Sequence, residues 1–264
     1  MIPNYADDTT IVNWGTNEND LAQNCSDVLF GLKNYFQNNH LSLNINKTSL
    51  MVFQVYHKQD EMQWSVVSDD CSEIKLKDKT SFLGIMLDQH LSWEHHIDFL
   101  CHKLSKSIYA MWTMSQFLKY EQMSIIYYAL VYPYLTYEIE VWEFAAAKHV
   151  NTVFTLQKKA VRIMCKLRYK GSCKAIFKIK KLLTLPSLYI YKTVQVMLKY
   201  KQYNHLNREV HMYNTRRDDD YHLERNNSKS ADKSPYYMEI KFYNKLPKKL
   251  KSLSGSCFEG VPQQ

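Results

Sequence analysis

Near residue 90 the spacing of the apolar residues changes, and this change limits the possible folds more than any other feature. Beyond Ser92, the residues Ile97, Leu100, Cys101, Leu104, Ile108, Met111 and Trp112 recur three or four positions apart. That is the period of a helix burying one face. The same spacing predicts helices over about 121–132, 148–168, 173–183 and 187–203. Before residue 90 the pattern is mixed. Asn17 to Asp20 reads as a capped helix start, and Leu21, Cys25, Val28, Leu29, Leu32, Tyr35 and Phe36 carry a helix over about 18–39. Alternation of Leu41, Leu43 and Ile45 predicts a strand, Asn46-Lys47 a turn, and 50–53 a second strand. Residues 55–73 read as a surface loop, and 74–77 and 82–88 as two more strands.

The expected fold class is therefore α+β, in three parts. Residues 1–90 form antiparallel strands plus a helix, 91–203 a basic helical region, and 204–264 a polar, irregular tail in which only 241–253 is locally ordered. At 264 residues, 45% of them hydrophobic, the chain can bury a core. No basic stretch leads into an apolar one at the N-terminus, and the longest charge-free apolar stretch, about 122–137, is interrupted by Pro133. A secreted or membrane-spanning protein is not expected. The six cysteines are scattered without a C-x-x-C pair, which favours a reducing, intracellular setting, nuclear or cytoplasmic.

Charge divides at the same place as the hydrophobic period. Residues 1–100 hold 6 lysines, no arginine and 14 acids, whereas the remainder holds 28 Lys/Arg and 12 acids. Between Phe144 and Arg208 there are 15 basic residues and no acidic one. A field this one-sided suits a polyanion, with nucleic acid the leading partner. In 158–181 ten cations alternate with apolar residues, so one face can pack while the other stays solvated. Lys158, Lys159, Arg162, Lys166, Arg168, Lys170, Lys174 and Lys178 are the expected phosphate-tracking residues. Tyr169 and Phe177 are available to stack on bases.

The second chemical signal is "NYADDTTIVNW" at residues 4–14. Adjacent carboxylates repel unless a cation lies between them. Magnesium is bound by one or two protein carboxylates together with substrate phosphates, and paired metals clamp the attacking and leaving oxygens of phosphoryl transfer. Asp7 and Asp8 thus point to metal-dependent nucleotidyl transfer or hydrolysis.

"YADDT" resembles the catalytic hairpin of reverse transcriptases, and the blocks after it follow the order found in non-LTR (LINE, jockey-like) retrotransposon polymerases. They are "NYFQNNHLSLNINKTSLMVF" (34–53), "FLGIMLDQHLSWEHHI" (82–97), "YYALVYPYLTYEIEVW" (127–142), "LQKKAVRIMC" (156–165), "HMYNTR" (211–216) and "FYNKLPKKLK" (242–251). The resemblance spans nearly the whole chain. It implies a truncated polymerase palm followed by thumb-like helices. It also implies Mg2+ on Asp7 and Asp8, with Asp7 the principal ligand. Lys47 would lie near the phosphates of the incoming nucleotide, and Phe82, Leu83 and Gly84 would support the primer end. The implied partners are an RNA template and a DNA primer or RNA–DNA hybrid.

In that family another metal-binding aspartate, a "QG" segment and the fingers precede the hairpin. The chain therefore corresponds to the C-terminal part of the polymerase, from the YADD motif onward, and is not expected to synthesise DNA alone. The alternative is a non-catalytic remnant that binds nucleic acid. Other chemistries find little support. His90, His95, His96, Cys101 and His102 lack zinc spacing, six glycines leave no phosphate loop, and no serine or cysteine hydrolase signature is present.

Overall fold

The computed structural model describes residues 4–5, 8–53, 65–67, 73–168, 170–211, 216–226 and 231–251, with only the backbone described at 4, 5, 8, 65–67 and 73. The chain divides into two compact units, Met1–Ser92 and Trp93–Gln264. It is mixed α and β, with short antiparallel strand pairs in the first unit and helices throughout the second.

In the first unit, β1 (Asn4–Tyr5) and β2 (Asp8–Thr9) pair antiparallel, Tyr5 opposite Asp8. Helix α1 spans Glu18–Asn38. It starts where its cap dictates: the Asn17 side chain accepts from Asp20 N at 2.9 Å. The Asp20 carboxylate in turn accepts from Thr16 N at 2.8 Å and Thr16 Oγ1 at 3.1 Å, bonds that hold it below the usual carboxylate range. The helix ends in a Schellman arrangement. His40 takes φ 56°, while Leu41 N donates to Phe36 O and His40 N to Gln37 O.

The strand expected over 41–45 does not form. Asn44 instead closes a turn, its carbonyl accepting from Lys47 N, Thr48 N and Thr48 Oγ1, and its side chain from Lys47 N at 3.2 Å. Local bonding of this kind competes with a sheet ladder and here prevails. The strand expected over 50–53 reduces to one parallel bridge, Leu50 to Leu76. Within the stretch read as a loop, Ser65–Val67 is a strand, β3, paired antiparallel with β4 (Glu73–Lys75).

The run 82–88 is not one strand either. It is the end of β5 (Lys79–Phe82), a turn, and β6 (Ile85–Asp88). Leu83 and Gly84 have φ 46° and 81°, the two left-handed central residues of a tight hairpin turn whose twist matches the strands. Asp88 is buried and accepts from His90 N (3.1 Å), Ser92 N (3.0 Å) and Ser92 Oγ (3.1 Å). The aspartate of the "LDQHLSW" block is therefore a turn-former.

The second unit begins with α2 (Glu94–Met114), whose Ile97, Leu100, Leu104, Ile108 and Met111 are buried on one face. Helices α3 (Tyr120–Leu130), α4 (Tyr132–Thr136) and α5 (Ile139–Trp142) follow. Then come α6 (Ala147–Met164), α7 (Lys174–Ile179) and α8 (Leu185–Lys199). Helix α2 packs along α6, and α8 meets α5. Among the described residues no helix is long and apolar enough to cross a membrane.

The region after residue 203 departs from the irregular tail expected. A short α9 (Asn207–Val210), α10 (Pro235–Lys245) and α11 (Lys248–Lys251) are present. Ile240 and Tyr243 of α10 join Tyr221 in a core with Val194 and Met197 of α8. The Asn244 amide clamps Tyr221 as a strand neighbour would, donating to its carbonyl at 2.8 Å and accepting from its N–H at 2.9 Å. Lys251 Nζ bridges Asp220 at 2.8 Å and the Asn244 carbonyl at 2.9 Å. Averaged polarity concealed the Ile240/Tyr243 pair, three residues apart on one helical face.

The junction of α5, α8 and α10 gathers Glu140, Glu143, Glu239 and Tyr189, the tyrosine hydroxyl lying within electrostatic reach of all three acids. Among the described residues, Glu140 Oε2 and the Tyr189 hydroxyl are buried with no hydrogen-bond partner. Lys192 is the cation facing Glu140, and Glu138 a neighbouring acid. Burial pushes Glu143 up to about 7, and burial together with Glu140 pushes Glu239 up to about 7, from an ordinary 4.5. The folded state thus retains protons that the unfolded chain releases. This contribution to stability is complete below pH 4.5 and is lost as pH rises to about 7. Glu239→Gln is expected to flatten the pH dependence of the urea midpoint across that window. A slope equal to that of the natural chain would remove Glu239 from the account.

Candidate nucleic-acid interface

Helix α6 places Phe154, Lys158 and Arg162 four residues apart, hence on one face, and α7 places Lys174 and Lys178 likewise. The loop between the helices turns these faces toward one another. At its start, Cys165 N donates to Val161 O, Lys166 adopts φ 51°, and Leu167 N returns to Arg162 O at 2.9 Å. At its end Gly171 N reaches Arg168 O at 2.8 Å. A Cβ on Gly171 would come within 3.1 Å of that oxygen, so this close turn favours glycine.

The result is an open groove of about 400 Å³. Its floor is apolar, formed by Phe154, Phe177 and Cys173, and its rim carries Lys158, Arg162, Lys174 and Lys178. The two phenyl rings lie 6.4 Å apart, tilted by 46°. Lys158 Nζ sits 4.5 Å over the Phe154 ring, a cation–π contact. Arg162 donates Nε to the Gly171 carbonyl at 2.9 Å, which fixes the guanidinium beside the groove. Lys180 lies 3.8 Å over the Tyr120 ring and ties the end of α7 to the start of α3. Burial pushes the Cys165 thiol up despite nearby Lys180, so it is no nucleophilic thiolate.

On the same helix, Gln157 is fully buried, and both its amide nitrogen and its amide oxygen are hydrogen-bonded. Its Nε2 donates to Leu183 O at 2.9 Å and to the Tyr127 hydroxyl at 3.3 Å, while its Oε1 accepts from Leu185 N at 2.9 Å. The last of these serves an N–H at the start of α8 that has no partner within its own helix.

The sequence-predicted residues divide as follows. Lys158, Arg162, Lys174 and Lys178 converge on the groove, whereas Lys159, Lys166, Arg168 and Lys170 are exposed elsewhere on the surface. Tyr169 lies outside the described residues. Phe177 is only 7% exposed, so it forms the floor and offers no open stacking face. Phe154 takes that position, a residue that sequence reasoning missed, although its spacing from Lys158 and Arg162 marked it. Gln157 was missed too, because a glutamine beside Lys158 and Lys159 reads as surface.

In the first unit, Asp7 and the side chain of Asp8 lie outside the described residues. Lys47 is exposed on the Asn44 turn, and the segment after it is tied to the strand region by Lys77 N to Leu50 O at 2.9 Å. Phe82, Leu83 and Gly84 form the exposed end of the β5–β6 hairpin. Among the described residues no group of three or more His, Cys, Asp or Glu is arranged to hold a metal ion. His96 is a core residue against Trp142, ring centroids 6.0 Å apart, and burial lowers its affinity for a proton. Comparison with protein-family models, curated proteins and solved structures finds no match for the chain.

Replacing Gln157 by Leu would leave the Leu185 N–H and the Leu183 carbonyl buried and unpaired. A loss of about 2 kcal/mol is expected, read as a fall in the urea midpoint. An unchanged midpoint would mean that the amide is not what joins α6 to α8.

Proposed function

We propose that the chain is the palm-to-thumb part of an RNA-directed DNA polymerase of the non-LTR retrotransposon type, and that its second unit binds template, primer or hybrid through the α6–α7 groove. The family assignment is supported by the order of the sequence blocks, from "YADD" through "LSLNINKT" and "FLGIMLD" to "FYNKLPKKLK". The binding role is supported by one observation above all. Four cations from two helices meet on an aromatic-floored groove, within a stretch of the chain that holds no acid from Phe144 to Arg208.

In the intact polymerase, Asp7 and Asp8 would hold the Mg2+ ions that clamp the attacking and leaving oxygens. Lys47, exposed on its turn, would reach the phosphates of the incoming nucleotide. The hairpin tip at Phe82, Leu83 and Gly84 would rest against the primer end.

Binding through four phosphate contacts to a single strand gives a slope near −3 in log K against log salt, roughly a fifty-fold loss between about 50 and 200 mM. Fluorescence anisotropy should show this slope, and Lys174→Ala/Lys178→Ala should reduce it by about half. Binding that ignores salt would refute the electrostatic reading. The family's further metal-binding aspartate has no counterpart in these 264 residues. The polypeptide alone is therefore expected to give no primer extension on an RNA template with magnesium. Synthesis abolished by Asp7→Ala/Asp8→Ala would overturn that expectation.

A further inference from the structure

The α6–α7 groove is chemically divided, with cations on its rim and aromatic carbon on its floor, and the floor narrows the choice of ligand. A duplex keeps its bases stacked inside and presents phosphates and sugars to a protein surface. It could touch Lys158, Arg162, Lys174 and Lys178, but it would leave the half-buried Phe154 ring uncovered. An unpaired nucleotide carries both complements: a flat, largely apolar base and, one sugar away, a phosphate. We infer that the groove takes one unpaired nucleotide of single-stranded nucleic acid, its base on Phe154 and its flanking phosphates on the four rim cations. This inference rests on the nucleic-acid reading above and goes beyond it in naming the strand state.

Three details of the groove bear on this. Its volume of about 400 Å³ lies at the small end of the range for organic-ligand pockets and is enough to seat a base. Phe154 is half-buried while Phe177 is 7% exposed, so one ring offers a face and the other supports it from 6.4 Å away. Lys158 Nζ covers the Phe154 ring at 4.5 Å. An arriving base would replace it there and free the ammonium group for the phosphate next to that base. Arg162, already anchored through Nε to Gly171, keeps its remaining N–H groups for phosphate oxygens and loses little rotamer freedom on binding. Stacking accepts any base face, so no sequence preference is expected.

The test compares a labelled single strand of about 12 nucleotides, within the usual site size, with a blunt duplex of the same length at one salt concentration. The natural chain should bind the single strand roughly ten-fold more tightly, and Phe154→Leu should remove most of that difference by weakening the single strand more than the duplex. Phe154→Tyr, which keeps the ring, should retain the preference. Thermal melts of each variant show whether the fold persists, and the single-strand to duplex ratio of the natural chain decides the matter if the leucine variant does not fold. Equal affinity for both strand states would overturn the inference, as would a leucine variant that lowers both equally. In those cases nucleic-acid binding itself would stand. Binding of neither form would overturn the broader reading as well.

Discussion

The basic half of the molecule depends on one buried amide. Gln157 sits on α6 between Phe154 and Lys158, yet it points inward and joins three segments: the Tyr127 hydroxyl of α3, the carbonyl of Leu183 and the first N–H of α8. A polar side chain taken out of water is tolerated when its polar atoms are hydrogen-bonded, and here both N–H groups and the oxygen are. The bonds fix the rotation of α6 about its own axis. With Gln157 inside, helical geometry places residues 154, 158 and 162 around the adjoining edge, where α7 brings Lys174 and Lys178 to meet them. The facing of the groove residues is thus tied to an interaction in the core.

Charge and packing are kept apart in this region. Val153, Ala160, Val161 and Met164 bury the inner side of α6, while the cations stand along the outer side. Three acids of the second unit lie apart from these cations. Glu140, Glu143 and Glu239 gather at α5 and α10, and α8 passes between the two sets as a common support. A groove that binds polyanions gains from having no carboxylate on its rim, and that condition is met by where the acids fall in the chain.

How much could be read beforehand depended on the range of the forces involved. Helices α1, α2, α6 and α8 were legible because a buried stripe repeats every three or four residues and, for α1, because Asn17 and Asp20 announce the first turn. The strands were less so. Alternation at Leu41, Leu43 and Ile45 implied a ladder, but Asn44 satisfied the local N–H groups first. The phrase "FLGIMLD" hid a hairpin because Leu83 takes a left-handed conformation that its own chemistry disfavours. Of the eight basic residues chosen from the sequence, four line the groove. Periodicity could select those on a shared helix face, but the meeting of α6 with α7 depends on the Arg162–Gly171 turn, which no period encodes. Phe154 and Gln157 needed the third dimension.

The clamp between Asn244 and Tyr221 bears on the order in which the second unit is built. Val194 and Met197 of α8 bury their side chains against Tyr221, Ile240 and Tyr243, all of which leave the ribosome later. During synthesis Val194 and Met197 therefore wait without these partners until Tyr221, Ile240 and Tyr243 have emerged. Domains generally fold as units once their last contacting segment is available, and exposed apolar surface in the interval invites aggregation or chaperone binding. Seen this way, the segment that reads as a polar tail is the one on which release of a finished basic domain depends.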